Sequence, residues 1–176
     1  DIRLDDRFVD LVEEGFDLAI RITRLEDSSM IARRLAPFSV RVCASPELIA
    51  RVGTPQKPSE LARMPCIIDT NSRWLANWPF VGEDGQMTSV TVSGRLEVNS
   101  PLAVRSAACA GLGFAGLPDF IADPELKSGR LVSVLEDYAP RGGGIFAVYP
   151  HRRYLPAKIR VLVDYLVQWF KARGLA

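Results

Sequence analysis

The sequence predicts an α/β fold, and three observations carry that prediction. Short apolar runs recur along the chain, at Asp17–Ile22, Cys66–Asp69, Leu131–Leu135 and Ile145–Tyr149. Two of the strand-like stretches end in a Ser-Pro pair, Ser45-Pro46 and Ser100-Pro101, which is a helix start: serine caps, and proline follows where its missing N–H costs nothing. From Pro156 onward, Ile159, Leu162, Val163, Leu166 and Phe170 fall on one stripe of a helix. Strands alternating with helices imply largely parallel sheets.

The 176 residues are 48% hydrophobic and carry 22 basic and 21 acidic side chains, a net charge of +1. That composition excludes a disordered chain. A chain of this mass buries about 70% of its unfolded surface, enough for one domain or two small ones. No run approaches the roughly 20 apolar residues of a bilayer span. The near-zero charge argues against this segment gripping a phosphate backbone by itself. Cys43, Cys66 and Cys109 are odd in number and widely spaced, which suits neither a disulfide framework nor a zinc site and fits a reducing, cytoplasmic setting. The N-terminus shows no signal-peptide pattern, and the absence of an initiator methionine reads as a fragment.

Taken in order, Phe8, Val9, Leu11 and Val12 give a first helix its apolar face, with Gly15 as its stop and a strand at Asp17–Ile22. Residues 31–44 read as a second strand region, in which Val40 and Val42 alternate against Arg41. A helix over Pro46–Val52 closes at Gly53. Pro58–Arg63 is a helical turn, and Cys66–Asp69 a buried strand. Trp78–Phe80 and Gln86–Val98 read as antiparallel strands around a Glu83-Asp84-Gly85 turn. Leu102–Ala110 is an alanine-rich helix capped by Ser100 and ended by Gly111. Gly113–Leu117 is a strand, a short helix starts at Pro118-Asp119, and the last strands flank a Pro140–Gly144 loop.

Several tempting motifs dissolve on inspection. Gly111-Leu112-Gly113-Phe114-Ala115-Gly116 matches the dinucleotide string G-x-G-x-x-G, but a helix precedes it and a strand follows, the reverse of what pyrophosphate binding needs. Arg141-Gly142-Gly143-Gly144 lacks the Lys-Ser/Thr of a phosphate loop. His151, the one histidine, stands in a polar loop beside Arg152-Arg153 with no nucleophile near in sequence. Arg33-Arg34 reads as a solvated pair, and Trp74 and Trp78 as packing residues. No catalytic residue, cofactor or metal ligand is assigned. Polar groups at two strand ends remain, Asp69-Thr70-Asn71-Ser72 and Asn99-Ser100. In open α/β sheets ligands sit outside the carboxyl ends of strands, and the free N–H groups of a helix start suit an anion. Arg24 follows the first strand as a candidate counter-charge.

The order and spacing of several segments resemble the effector-binding domain of LysR-type transcriptional regulators. They are Phe8–Ile22, Ile31–Pro37, Cys43–Leu48, Val98–Ser100, Ala110–Pro118 and Gly129–Val132, and together they span essentially the whole chain. The resemblance implies two Rossmann-like subdomains in a type 2 periplasmic-binding-protein-like fold, with a small-molecule effector held in the cleft between them. By analogy, residues 1–43 and 117–176 form a partial first subdomain and residues 44–116 the second. The winged helix-turn-helix that binds DNA, and the opening strand and helix of the first subdomain, are not in this sequence. Carried over as ligand-binding positions are Thr70, Asn71, Asn99 and Ser100, with Phe114 lining and Arg24 as counter-charge. The Leu102–Ala110 helix resembles the family's inter-subunit surface, implying a homodimer or homotetramer.

A solute-binding receptor and an enzyme are the alternative functions for the same architecture. A solute-binding receptor would need an export signal, which the regulator-like segments and cysteine usage do not favour. An enzyme would need a convergent nucleophile and base, which the sequence does not offer.

Overall fold

Ser45 opens the first regular helix as the sequence predicts: its Oγ accepts the Leu48 N–H at 3.2 Å, and Pro46 occupies the first turn. That helix, α1 (Pro46–Val52), closes with Gly53 donating to the Ile49 carbonyl. The computed structural model describes residues 1–7, 9–23, 30–140, 142–150 and 156–173. Arg24, Arg141, His151, Arg152 and Arg153, each singled out from the sequence, lie outside these, as does Phe8.

The remaining elements are β1 (Ala19–Thr23), β2 (Met30–Phe38), β3 (Val40–Ala44), a 3-10 turn (Pro58–Arg63), β4 (Pro65–Asp69), β5 (Asn77–Val81), β6 (Met87–Thr91), β7 (Ser93–Val98), α2 (Pro101–Cys109), β8 (Ala115–Pro118), α3 (Asp119–Lys127), β9 (Val132–Val134), β10 (Gly143–Pro150) and α4 (Ala157–Ala172). The first expected helix is a single turn. Asp10 Oδ1 accepts the Val12 and Glu13 N–H groups, and the chain closes at Gly15 before a second turn can form.

Two compact units form, Asp1–Phe8 with Val40–Pro140, and Val9–Ser39 with Arg141–Ala176. The boundaries expected by analogy, 43/44 and 116/117, are shifted. β3 is the centre of a sheet ordered β8-β3-β9, so Val40–Cys43 and Leu117–Pro140 pack in one unit with residues 44–116. The strand region 31–44 is accordingly two strands, split at Ser39 between two sheets.

In the smaller unit, β10 runs between β1 and β2, antiparallel to both. α4 covers one face, where Ile159 and Val163 meet Leu35, Ala147 and Tyr149; Leu11 covers Phe146 and Val148 on the other. Gly143 and Gly144 belong to β10 and not to a loop, and Arg34 Nη2 donates to the Gly143 carbonyl at 3.0 Å. Arg33 reaches Asp164 at 3.7 Å, so neither arginine of that pair is merely solvated.

In the larger unit, β4 and β7 pair in parallel, and Phe114 adds a parallel bridge on the other side of β4. The expectation of largely parallel sheets is corrected here: β4–β7 and that bridge are the parallel pairings among the described strands, and the other named sheets are antiparallel. The run Gln86–Val98 divides, so that β6 makes a hairpin with β5 while β7 crosses to β4. Two apolar clusters hold the unit, one around Leu48, Phe80 and Phe114, the other around Ile67, Val104, Ala108 and Leu117. Trp78 is buried in the first of them, a packing residue as read.

Candidate functional site

Parallel pairing brings the carboxyl ends of β4 and β7 side by side, with Asp69 opposite Val98 in register. The next residues of each strand therefore emerge together. The Thr70 N–H donates to the Val98 carbonyl at 2.8 Å, continuing the ladder one step. Asn71 Nδ2 then donates to the Asn99 carbonyl at 2.5 Å. Four of the residues singled out from the sequence, Thr70, Asn71, Asn99 and Ser100, thus share one strand-end surface.

Asp69 sits at the base of that surface. Its Oδ1 accepts the Asn71 N–H at 2.9 Å, an arrangement that folds the chain back after the strand. Desolvation on this half-buried position raises its carboxyl above the ordinary 3.8, and the Asn71 N–H works in the opposite direction.

On the β7 side, Ser100 stands at the N-cap of α2, yet its side chain makes no capping hydrogen bond, contrary to the sequence expectation. Pro101, next in the chain, has no N–H to cap. No acidic side chain occupies the first turn of α2, so its positive end is not neutralised from within the helix.

Phe114 is elsewhere. Its ring is fully buried, packed in the cluster with Phe80 and Trp78, while its backbone exchanges hydrogen bonds with Pro65 and Ile67 near the start of β4. A residue with no exposed surface does not line a pocket, and the lining role expected of it is replaced by a core role. Arg24 lies outside the described residues.

The glycines of the dinucleotide-like string have structural jobs. Gly111 adopts φ +73° and ends α2 with paired bonds, Gly111 N–H to Ala108 and Leu112 N–H to Ala107, the Schellman pattern. At Gly113 a Cβ would stand 3.0 Å from the Pro65 carbonyl oxygen, against β4. Among the described residues there is no group of His, Cys, Asp and Glu side chains able to hold a metal ion. No helix among them is long and apolar enough to cross a membrane.

Comparison with known proteins agrees with this architecture. The LysR substrate binding domain family matches residues 1–171. The HTH-type transcriptional regulator PtxR of Pseudomonas aeruginosa is 36% identical over 162 residues, covering 92% of this chain and 52% of PtxR. The HTH-type transcriptional activator TtdR of Escherichia coli is 36% identical over 172 residues, covering 97% and 54%. Among solved structures, the LysR-type transcriptional regulator CrgA of Neisseria meningitidis superposes with a TM-score of 0.76 at 32% identity, over 90% of this chain and 54% of that one. The chain spans about half the length of the curated relatives it matches. These relatives carry the names of transcriptional regulators and not of enzymes. From the family match across nearly every residue, and from a mixed α/β fold shared with solved regulators, the chain belongs to the LysR substrate-binding domain family, the effector-binding domain of LysR-type transcriptional regulators.

Proposed function

We propose that the strand-end surface of Asp69, Thr70, Asn71, Asn99 and Ser100 is where this domain takes its small-molecule effector. The observation that carries the reading is the side-by-side emergence of two polar loops from parallel β4 and β7, latched by Asn71 to Asn99, at the un-neutralised start of α2. The exposed first-turn N–H groups favour an anionic group on the effector. Asp69, an acceptor, favours a hydroxyl elsewhere on the same molecule. A small hydroxy acid meets both demands.

In the full-length regulator, effector binding shifts the population of conformers and thereby the arrangement of DNA-binding heads. DNA contact belongs to a helix-turn-helix part outside this sequence, the work is cytoplasmic, and no catalytic step or cofactor is assigned. The α2 face that leaves Leu102 54% exposed is the proposed contact of a homodimer or homotetramer. Regulator names among the relatives support this sensor reading over a solute receptor.

Thermal-shift titration of the full-length protein with L-malate and succinate, which differ by one hydroxyl, tests the reading. Malate is expected to bind at least tenfold more tightly, the value of one hydrogen bond to a charged acceptor. Equal binding of both would remove Asp69 from the site. No binding or change in operator affinity with either acid, or with gluconate or benzoate, would overturn the sensor assignment for this surface.

A further inference from the structure

One carboxylate is buried among the described residues. Glu125, near the end of α3, has a side chain only 5% exposed, and two arginines flank it: Arg105 of α2 at 3.6 Å and Arg130, just beyond α3, at 2.5 Å. Neither arginine is deeply buried, at 33% and 66% exposed. A charge in this position is retained only with a partner, since stripping it of one leaves it desolvated and uncompensated.

The two arginines hold different things. Arg130 follows its carboxylate closely in the chain and neutralises it locally. Arg105 comes from the helix that begins at the candidate effector surface. The buried face of that helix is made of Val104, Ala107 and Ala108. Side chains this short raise low ridges, and low ridges resist axial sliding poorly. Its start also lacks a side-chain cap at Ser100 and an N–H on Pro101.

We infer that Arg105 and Glu125 are positioning residues that fix the register of α2 against α3, and with it the place of the first-turn N–H groups that face the effector. This rests on the sensor reading for its functional consequence, while the register lock stands on the ion pair alone. Arg105 touches no proposed ligand position and acts through the helix that carries it.

Glu125→Gln risks misfolding, so the test compares Arg105→Gln with Arg130→Gln in the full-length protein. Each removes one cation from the same carboxylate, so a purely stabilising role moves both alike. Hydrogen exchange at the amides of Val104 through Cys109 is expected to quicken at least tenfold in Arg105→Gln and to stay within twofold of wild type in Arg130→Gln. Arg105→Lys, which keeps the charge, is expected to restore most of the protection. Malate affinity is expected to fall at least fivefold in Arg105→Gln alone. Equal exchange in both glutamine variants, or unchanged exchange in Arg105→Gln, would overturn the lock. If malate, succinate, gluconate and benzoate all fail to bind wild type, the sensor reading of the surface falls, and the exchange comparison still decides the lock.

Discussion

Asn71 donates its side-chain Nδ2–H to the backbone carbonyl of Asn99, tying together two loops 28 residues apart in sequence. The bond spans the ends of two neighbouring parallel strands, where Thr70 has already extended the ladder to Val98. It is a latch between loops, made by a side chain whose backbone N–H is engaged by Asp69.

Removing the latch with Asn71→Ala is expected to cost about 1 kcal/mol of stability, the net value of one such bond. In a chain of this size that lowers Tm by about 2–4 °C. If the proposed site holds, the effector response is expected to fall much further than this, because the two loops lose their spacing. A thermal melt beside a malate titration reads both. Normal affinity in Asn71→Ala would show that the loops hold their positions without it.

Asp69 gives a pH-dependent test. Its folded-state carboxyl titrates above the unfolded value of 3.8, so the folded chain holds the proton more tightly. Deprotonation therefore costs stability, a cost absent below 3.8 and fully present once pH passes the raised folded value. Asp69→Asn keeps an acceptor for the Asn71 N–H and removes the charge. Its Tm is expected to exceed wild type at pH 7, with the difference vanishing at pH 3. A Tm below wild type at pH 7 would assign the carboxylate a stabilising role.

The thiols are expected to react in a fixed order. Burial pushes Cys43 and Cys66 up to about 12, and both are free of disulfides. Cys109, partly exposed at the end of α2, is also raised by desolvation, with Glu125 adding to it. Iodoacetamide at pH 8 is expected to label Cys109 alone and slowly, with Cys43 and Cys66 appearing only in denaturant. Peptide mass mapping distinguishes the three. Rapid labelling of Cys66 in the native protein would contradict its burial.

Gly94 is expected to tolerate no side chain. A Cβ there would lie 1.6 Å from the Cys66 carbonyl oxygen, at the irregularity where β7 meets β4. Gly94→Ala is expected to cost more than about 3 kcal/mol, as overpacking against backbone does. Gly111→Ala, which must hold a left-handed φ and meets Ser45 Oγ at 3.3 Å, is expected to cost about 1–2 kcal/mol. Denaturant melts of the two variants should rank in that order.

Helix boundaries were legible because they are written locally. The Ser-Pro starts at 45–46 and 100–101, and the glycine stops at 53 and 111, need only their neighbours. Sheet direction was not, since it depends on which strands meet. Alternation of strands and helices suggested parallel pairing, whereas the break at Ser39 sends β2 and β3 into separate antiparallel sheets. Capping shows the same divide: Ser45 caps α1 with its side chain, but Ser100 does not cap α2, though the two dipeptides look alike. The strand-end residues Thr70, Asn71, Asn99 and Ser100 stood out because polar groups interrupt apolar runs there. Phe114 enters as a lining residue only through the family resemblance, while its burial comes from packing, with Gly113 admitting β4. Arg105 and Glu125 carried no signal in an ordinary charged background. Only the packing of α3 on α2 marks them.

Arg51, in the last turn of α1, donates to the Gly111 carbonyl at 2.9 Å, and Ser45 at the other end of α1 stands close against the same glycine. The far end of α2 is thereby braced like the fulcrum of an oar. A nine-residue helix is about 13 Å long, so a tilt of about 5° about that point carries its opening residues about 1 Å. A molecule gripped at the blade end therefore need rotate the shaft only slightly to move it by a distance that neighbouring groups feel.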